Sequence, residues 1–531
     1  MAPRQHRARP RSWPRYAALL AALLLGCSGD DEPSAPKSAI AAPAVPSVVV
    51  HHVDDDGTRV RVHHADALIG LDLSETRSLD LALSETDRVG QLANAGAATV
   101  CNGLDLLSLA LRAPKIETLR ISGCPAAVHA GLGAFAGSLK RLALVDLAFD
   151  GVTVGAVAQL KILESLTLDR VTAGTDPLRP LRTLPLREIV LRGLSKDSEL
   201  SRMLDLWPKS LSRVILEGSW AGHDAMLTLA KADALEELEL RGTRIGNFSL
   251  NQIKPLDKLR SVVLDGSTFN DKSPQYFKNL PMTRFVCNCS RFGDVGLRSL
   301  RHSEGLVHVE LRETSVTGTG LGALAKLDAL QSLVLLQRDI GSEGFAALTN
   351  NAALQVLELS GPLDDLELTG LWALVNLRRL RLQHPDLGDA ATAEIGLLVR
   401  LEHLDLGNTK ITDEGLENLG KLVALRELRL GHTRVTKRGL QHLAALTQLQ
   451  TLHLDHTDVV DEGVAALAGL PALRELRLDH TLVTDAVMDT IVTFKNLERL
   501  SLANTVVKRP AIAKLEVLPR LEAIDIEGIR D

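Results

Sequence analysis

A repeat with a period of 24 residues constrains this chain more than any other feature of its sequence. The segment that begins at Leu401 aligns with four later segments, and every copy has apolar residues at offsets 0, 3, 5 and 10. The later copies begin at Leu425, Leu449, Leu473 and Leu497. Offset 8 is threonine in all five copies: Thr409, Thr433, Thr457, Thr481 and Thr505. A fixed period of this length indicates that each copy is one structural unit of an array.

The same frame extends towards the N-terminus with spacings of 23 to 25 residues. Earlier copies begin at Leu377, Leu354, Leu330, Leu306, Met282, Leu259, Leu235, Leu211, Leu186, Leu163, Leu139 and Ile116, and a partial copy begins at Leu521. This gives about 18 copies, and fainter ones begin at Leu68 and Leu92. A single array therefore replaces the several separate domains that a chain of 531 residues would otherwise suggest.

Each copy has the pattern of one strand followed by one helix. Apolar residues alternate over Leu401–Leu406, as on a short strand. Thr412 and Asp413 then provide a helix cap, and Leu416, Leu419 and Leu422 follow at near-helical spacing. One strand and one helix cannot bury their apolar faces alone, so successive coils must stack into a solenoid. The hydroxyl of the offset-8 threonine is expected to bond to the backbone of the next coil.

The pattern L-x-x-L-x-L-x-x-T-x-I-T-D-x-G-L resembles the leucine-rich repeat superfamily, in particular its ribonuclease-inhibitor-like and cysteine-containing types. The resemblance covers about four fifths of the chain. It implies an α/β solenoid shaped as a right-handed horseshoe, with a parallel β-sheet on the concave face and helices on the convex face.

Residues 1–26 have the pattern of an export signal. Five arginines and no acidic residue precede the apolar run Ala17–Leu25, which is too short to span a bilayer. The run ends in Leu24-Leu25-Gly26-Cys27, which resembles the lipobox of bacterial lipoproteins. The resemblance implies that Cys27 is lipidated, as by palmitate; the alternative is an ordinary signal peptide with an incidental cysteine. Residues 27–47 are rich in Pro, Ala and Ser and predict a flexible tether.

Residues 48–115 predict a β-hairpin cap followed by divergent repeats, and residues 116–531 the leucine-rich repeat solenoid. The hairpin is indicated by residues 48–53 and 58–62, which flank an Asp54-Asp55-Asp56-Gly57 turn. The three aspartates could bind calcium, but a solvated turn is the favoured interpretation.

The cysteines are too few for a disulfide framework in a chain of this length. Cys287 falls at offset 5, a core position, so its thiol is expected to be buried and inert. A disulfide between Cys101 and Cys124 is left open.

Motifs for catalysis are absent from the sequence, which has no P-loop, no G-x-S-x-G, no H-E-x-x-H and no paired C-x-x-C motifs. The sequence predicts that the protein is not an enzyme and needs no cofactor. Aromatic residues make up 3% of the chain and its net charge is −6, which argues against nucleic-acid binding.

Four histidines share offset 7: His384, His432, His456 and His480. The last three are expected to form a column beside Asp455 and Asp479. One interpretation is a transition-metal or pH-sensing patch. The other is a plain polar turn, because Asn408 and Asn504 occupy the same offset.

The concave face is predicted to present offsets 1, 2 and 4. Its candidate partner-binding residues are Arg378, Arg381, Arg426, Arg429, His453, Arg474 and Arg477. Acidic residues interleave with them and are expected to balance much of their charge. Glu236, Glu237 and Glu239 are expected to form an acidic patch further towards the N-terminus.

The sequence thus predicts a monomeric, non-catalytic, lipid-anchored protein of the bacterial cell envelope, held at the outer membrane on the periplasmic side or at the cell surface. Its solenoid is expected to bind an unidentified protein or peptide through the concave face. The alternatives are a structural envelope spacer without a specific partner and a carbohydrate- or cell-wall-binding protein.

Overall fold

The computed structural model describes residues 49–53, 57–62, 78–81, 106–123, 125–173, 179–194, 209–219, 221–266, 268–336, 341–361 and 368–529. The chain divides into an N-terminal unit, Ala42–Leu354, and a C-terminal unit that contains Gln355–Asp531. Several predicted features lie outside the described residues: the signal peptide, the tether, Cys27, Cys101, Cys124 and the Asp54–Asp56 turn.

The N-terminal unit is built on a sheet whose strands follow one another in chain order. Its strands are β1 Val49–Val53, β2 Gly57–Val62, β3 Ser78–Leu81, β4 Thr118–Ser122, β5 Arg141–Val145, β7 Ser165–Asp169, β9 Glu188–Arg192, β10 Arg213–Glu217, β11 Glu237–Arg241, β12 Ser261–Asp265, β13 Arg284–Asn288, β14 His308–Arg312 and β15 Ser332–Leu336. β1 and β2 pair antiparallel as a hairpin, and β2 through β15 pair in parallel. The short strands β6 Ala148–Phe149 and β8 Thr172–Ala173 form a separate pair.

Short helices connect these strands. The α-helices are Leu106–Arg112, Pro125–Gly131, Gly151–Val157, His223–Leu229, Asn247–Leu250, Asp294–Leu300, Gly318–Leu321 and Gly341–Leu348. The 3₁₀ helices are Leu132–Phe135, Arg179–Thr183, Asn251–Ile253, Ser273–Tyr276 and Leu324–Lys326.

The C-terminal unit repeats the same plan more regularly. Its parallel strands are β16 Val356–Ser360, β17 Arg379–Gln383, β18 His403–Asp405, β19 Glu427–Arg429, β20 Thr451–His453, β21 Glu475–Arg477, β22 Arg499–Ser501 and β23 Ala523–Asp525. Its α-helices are Asp389–Ile395, Asp413–Leu419, Lys437–Leu440, Asp461–Ala465 and Met488–Ile491. Its 3₁₀ helices are Leu371–Ala373, Gln441–Ala445, Asp485–Val487 and Arg509–Val517.

The repeated apolar offsets form the core, as the sequence predicts. In the coil that begins at Leu401, the residues at offsets 0, 3, 5 and 10 are at most 1% exposed, and the same offsets are buried in the neighbouring coils. Burying one such side chain stabilises the fold by about 1.5–3 kcal/mol. The helix-facing residues Leu416, Leu419 and Leu422 close the same core from the other side.

The fainter copies expected at Leu68 and Leu92 begin outside the described residues. β3 pairs directly with β4, and Leu79 lies opposite Leu119, which holds offset 3 of its coil. The helix Leu106–Arg112 precedes β4 in the chain.

The expectation that the offset-8 threonine hydroxyls bond to the backbone of the next coil is wrong. The Thr409 hydroxyl donates to the Leu406 carbonyl oxygen of its own coil, at 2.7 Å, and Thr433 donates to Leu430 at 2.6 Å. Each hydroxyl satisfies a carbonyl at the end of its own strand, since a side chain three residues later folds back onto it.

Adjacent coils are joined instead by the aspartate of the T-D-x-G motif. Asp413 Oδ1 accepts a bond from Thr436 N at 2.7 Å, and its Oδ2 accepts one from Thr436 Oγ1 at 2.6 Å. A Cβ atom on Gly439 would lie 2.5 Å from Asp413 Oδ1, so this position requires glycine for close approach. Across the described part of the chain, no helix combines the length and apolarity needed to cross a membrane.

Candidate functional site

The solvent-facing side chains of β17–β21 lie in rows because the strands pair without a shift in register. Offset 4 forms what we term the central row, in which each residue lies directly opposite the next: Arg381, Asp405, Arg429, His453 and Arg477. Offset 1 forms the outer row, whose members are joined by backbone hydrogen bonds: Arg378, Glu402, Arg426, Gln450 and Arg474. All seven candidate residues from the sequence belong to these two rows.

In the outer row each arginine has an acidic partner. Arg378 is hydrogen-bonded to Glu402. Arg426 Nε lies 3.8 Å from Glu402 Oε2, so one carboxylate serves two arginines. Arg474 Nη1 donates to Glu498 Oε1 at 2.7 Å.

The arginines of the central row are paired in the same way. Arg381 Nε lies 3.3 Å from Asp405 Oδ2, and Arg477 Nε lies 3.4 Å from Asp479 Oδ2. Arg429 Nε donates to Glu427 Oε1 at 2.5 Å.

His453 is almost buried in this row, with 9% of its side chain exposed, and its Nε2 lies 2.9 Å from Glu475 Oε1. Arg499 Nε donates to the other oxygen of Glu475 at 2.8 Å. Burial alone would raise the pKa of Glu475, but the hydrogen bonds from Arg499 and His453 bring it below its ordinary value. The Glu475 carboxylate is therefore ionised at neutral pH and holds both partners in place.

Exposure separates the two kinds of charge on this face. The six arginines have side chains 44 to 55% exposed, whereas the carboxylates paired with them are 10 to 26% exposed. Those carboxylates are Glu402, Asp405, Glu427, Asp479 and Glu498. A molecule that approaches the sheet therefore meets guanidinium groups first, held over recessed carboxylates.

His432, His456 and His480 do form a column. The ring centroids of His432 and His456 are 4.0 Å apart and those of His456 and His480 are 4.1 Å apart, with 14° between the ring planes in both pairs. The backbone at this offset is left-handed, with φ of 58°, 55° and 53° at these three residues, as it is at Asn408 and Asn504.

The structure contains no evident metal centre in the described ranges, where no group of three or more His, Cys, Asp or Glu side chains is placed to hold an ion. In the histidine column the rings lie face to face, so their nitrogen lone pairs point in parallel directions. A metal ion needs nitrogen lone pairs that converge at about 2.0–2.1 Å.

In the N-terminal unit the three glutamates of the expected acidic patch lie around one depression, and arginines surround them. Glu239 is 9% exposed and contacts Arg213 Nη2 at 2.9 Å and Arg241 Nη2 at 2.8 Å. Burial would raise the pKa of Glu239, but the hydrogen bonds from Arg241 and Arg213 lower it. A polar depression of about 300 Å³ lies on this sheet face, lined by Arg213, Glu236, Glu237, Glu239, Arg260, Ser261, Thr283 and Arg284.

The expectation of an inert thiol at Cys287 is wrong, because Cys287 forms a disulfide with Cys289. Cys287 is fully buried as predicted. Alternate residues of a strand point to the same face, and the Cα atoms of this pair are 5.4 Å apart, within the usual range for a disulfide. The sequence feature that could have predicted this disulfide is Cys289 at offset 7, two residues after Cys287. The disulfide closes the turn after β13.

Comparisons with known proteins bear on the fold. Residues 329–530 match the family described as leucine-rich repeat region. No curated protein matches the chain in sequence. The solved TLR13–ssRNA13 complex is 16% identical, with a TM-score of 0.53, and the match covers 90% of this chain and 74% of that one.

Two bacterial structures also match. The LRR protein LIC12759 of Leptospira interrogans is 19% identical, with 78% of this chain and 98% of that one covered and a TM-score of 0.38. An internalin (inlF) of Listeria monocytogenes is 20% identical, with 70% and 82% covered and a TM-score of 0.33. The TLR13 likeness confirms the predicted α/β solenoid fold, and the leucine-rich repeat match is confined to residues 329–530.

Proposed function

We propose that this chain, a leucine-rich repeat protein, is a non-catalytic protein of the bacterial cell envelope that is lipid-anchored through Cys27 and binds a protein or peptide partner. The contact surface is the solvent-facing side of β17–β21, where the central and outer rows lie. This assignment goes beyond the fold, since one fold serves many functions.

The observation that carries the proposal is the exposure of guanidinium groups that are already fixed by ion pairs. The arginines of the central row lie in the strands and those of the outer row directly precede them. Each is paired with a recessed carboxylate, as Arg381 is with Asp405. Arginine is enriched among residues that dominate protein interfaces. Ordering these side chains before binding lowers the entropy lost on association.

The location is supported by the sequence and by the cysteines. The lipobox-like Leu24-Leu25-Gly26-Cys27 places an acyl chain on Cys27. The Cys287–Cys289 disulfide fits an oxidising compartment outside the cytoplasm. A single acyl chain gives weak membrane attachment, and stable anchoring needs a second chain or another signal.

The partner is tested by crosslinking in intact cells, followed by capture of the chain and mass spectrometry. The double variant Arg429→Glu, Arg477→Glu reverses two exposed charges of the central row and is expected to reduce capture at least tenfold. The matched control is Arg434→Glu, Lys495→Glu, which makes the same charge change at exposed positions off the strands. Equal capture by both variants would disprove the docking surface, and the lack of any stoichiometric partner would favour a structural spacer.

The anchor is tested separately by metabolic labelling with a clickable palmitate analogue. Cys27→Ser is expected to abolish the label and to release the protein from the membrane fraction. Cys289→Ser is the control and is expected to remain labelled. Retention of the label in Cys27→Ser would remove the lipid anchor from the proposal but leave the docking surface standing.

A further inference from the structure

The histidine column, defined as His432, His456 and His480, is positioned by backbone hydrogen bonds, and the His480 ring also contacts a side chain, with its Nε2 3.3 Å from Asn504 Nδ2. His432 N donates to the Asp455 carbonyl oxygen at 2.9 Å, and His456 N donates to that of Asp479 at 2.8 Å. Because each turn is bonded to the next, the turns repeat at about the 4.8 Å spacing of neighbouring strands, and the ring centroids lie 4.0 and 4.1 Å apart. The column cannot disperse its rings without rotating them out of the stack.

The charged groups that act on the middle ring come from both neighbouring coils. His432 and His480 lie on either side of it, and Asp455 and Asp479 are the acidic groups in range. One oxygen of Asp479, Oδ1, accepts hydrogen bonds from Ser501 Oγ and from the backbone N of Ala503. Its carboxylate also faces Arg477. The acids beside the column therefore compensate only part of a positive charge on the rings.

We propose that the histidine column is a proton-sensing element of the C-terminal unit. The three rings are stacked in the structure. As pH falls, protons bind in successive steps, because a second imidazolium about 4 Å from the first is repelled by it. The charged rings then rotate apart and leave a cationic row at the ends of β19, β20 and β21. This goes beyond the proposed docking function and does not depend on it.

The pKa of His456 agrees with this geometry. Removal of the ring from bulk water lowers the pKa first, and the neighbouring His432 and His480 lower it further, against the opposite effect of Asp455 and Asp479. A base whose pKa is lower in the folded state binds more protons when unfolded. Protonation of His456 therefore lowers the stability of the C-terminal unit as pH falls through 6.5 towards the folded-state pKa of His456.

The decisive measurement is an NMR titration of the histidine side chains in the full chain. In the wild type, His456 is expected to titrate below 6.5 and in more than one step. In the double variant His432→Asn, His480→Asn its pKa is expected to move up towards 6.5 and its titration to become a single step. Asparagine suits this backbone, since Asn408 and Asn504 occupy the same left-handed position in neighbouring coils.

The control is His442→Asn, which removes an exposed histidine from the 3₁₀ helix Gln441–Ala445 and is expected to leave the His456 titration unchanged. An equal His456 pKa in the wild type and the double variant would overturn the proposal. So would a wild-type titration in one step at an ordinary value.

Thermal unfolding supplies a second readout that does not need assigned resonances. The wild-type midpoint at pH 5.5 is expected to fall below that at pH 7.5 by about 1–3 °C more than the midpoint of His456→Asn does. This variant removes the middle ring and keeps the turn residue type of Asn408. An identical pH response of the two proteins would count against the sensor, even if the double variant failed to fold.

Discussion

At the scale of single residues, offset 7 has a conformational role that precedes any chemical one. The backbone at Asn408, His432, His456, His480 and Asn504 has φ between 53° and 63°. Glycine holds the corresponding left-handed position in many N-terminal coils, for example at Gly218 and Gly242. Asn and His are the non-glycine residues that tolerate this region best. This conformation explains why both Asn and His occur at offset 7.

Because of this conformation, two substitutions of His432 are expected to differ in their effect on the free energy of unfolding. His432→Asn is expected to change the free energy of unfolding by less than about 0.5 kcal/mol. His432→Val places a β-branched residue at positive φ and is expected to cost about 1–2 kcal/mol. Urea unfolding at pH 7.5 measures both, and equal stability of the two variants would contradict the backbone explanation.

In the N-terminal unit, the surroundings of Glu310 lower the pKa of its carboxyl group. Its carboxylate lies between Arg312 and His308, whose Nε2 is 3.5 Å from Glu310 Oε2. The His308 contact is the largest influence and, together with Arg312 and against burial, lowers the pKa of Glu310 to about 2.

The lowered pKa of Glu310 means that its ionised form stabilises the fold above pH 4.5 and that this contribution is lost as pH falls towards 2. Glu310→Gln is expected to cost up to about 3 kcal/mol at pH 7 and less at pH 3. Urea unfolding at the two pH values measures the difference, with the exposed Glu304→Gln as control. A cost that does not depend on pH would contradict the assignment.

At the scale of elements, the T-D-x-G motif bonds each coil to the next. The aspartate of one coil accepts two bonds from the threonine of the following coil, as Asp389 does from Thr412 and Asp461 from Thr484. The coil that begins at Leu425 departs from this pattern: its aspartate is replaced by Lys437, and the following coil has Val460 in place of threonine. The carboxylate acceptor and the hydroxyl donor of one bonded pair are therefore both absent at this junction.

That missing pair can be restored. The double substitution Lys437→Asp, Val460→Thr is expected to raise the free energy of unfolding by about 1 kcal/mol, because it adds a cap and a side-chain hydrogen bond. Lys437→Asp alone is expected to gain less, since its carboxylate would lack the threonine hydroxyl. Urea unfolding of both variants measures the difference. No gain in the double variant would show that the aspartate–threonine hydrogen bonds between coils contribute no net stability.

The period of 24 residues predicted the strands, the core and both rows of the candidate surface, because equal offsets in a parallel sheet must become neighbours. It could not predict which oxygen each hydroxyl chooses, and the offset-8 threonines bond within their own coil. Nor could it predict that carboxylates such as Asp479 are recessed below their arginines, which depends on rotamers. The Cys287–Cys289 disulfide could not be predicted from the repeat period, because it depends on the backbone geometry at the end of β13.

At the scale of the molecule, a solenoid unit gains its stability from contacts between neighbouring coils. In the C-terminal unit, for example, Leu430 N donates to the His453 carbonyl oxygen and Leu454 N to that of Arg477. A defect in one coil should therefore loosen the adjacent coils first, and its effect should decay with distance along the array.

Leu452, fully buried at the centre of β20, provides the test of this decay. Leu452→Ala leaves a cavity and is expected to cost about 2–5 kcal/mol. In hydrogen–deuterium exchange, the amides of Leu430 and Leu454 are expected to lose protection, whereas that of Arg378, several coils away, should change little. Val423→Ala, at a side chain that is 56% exposed, is the control and should leave all three amides unchanged. Equal loss of protection at Arg378 and Leu454 would mean that the C-terminal unit opens all at once, because local coil-to-coil coupling cannot spread a defect evenly.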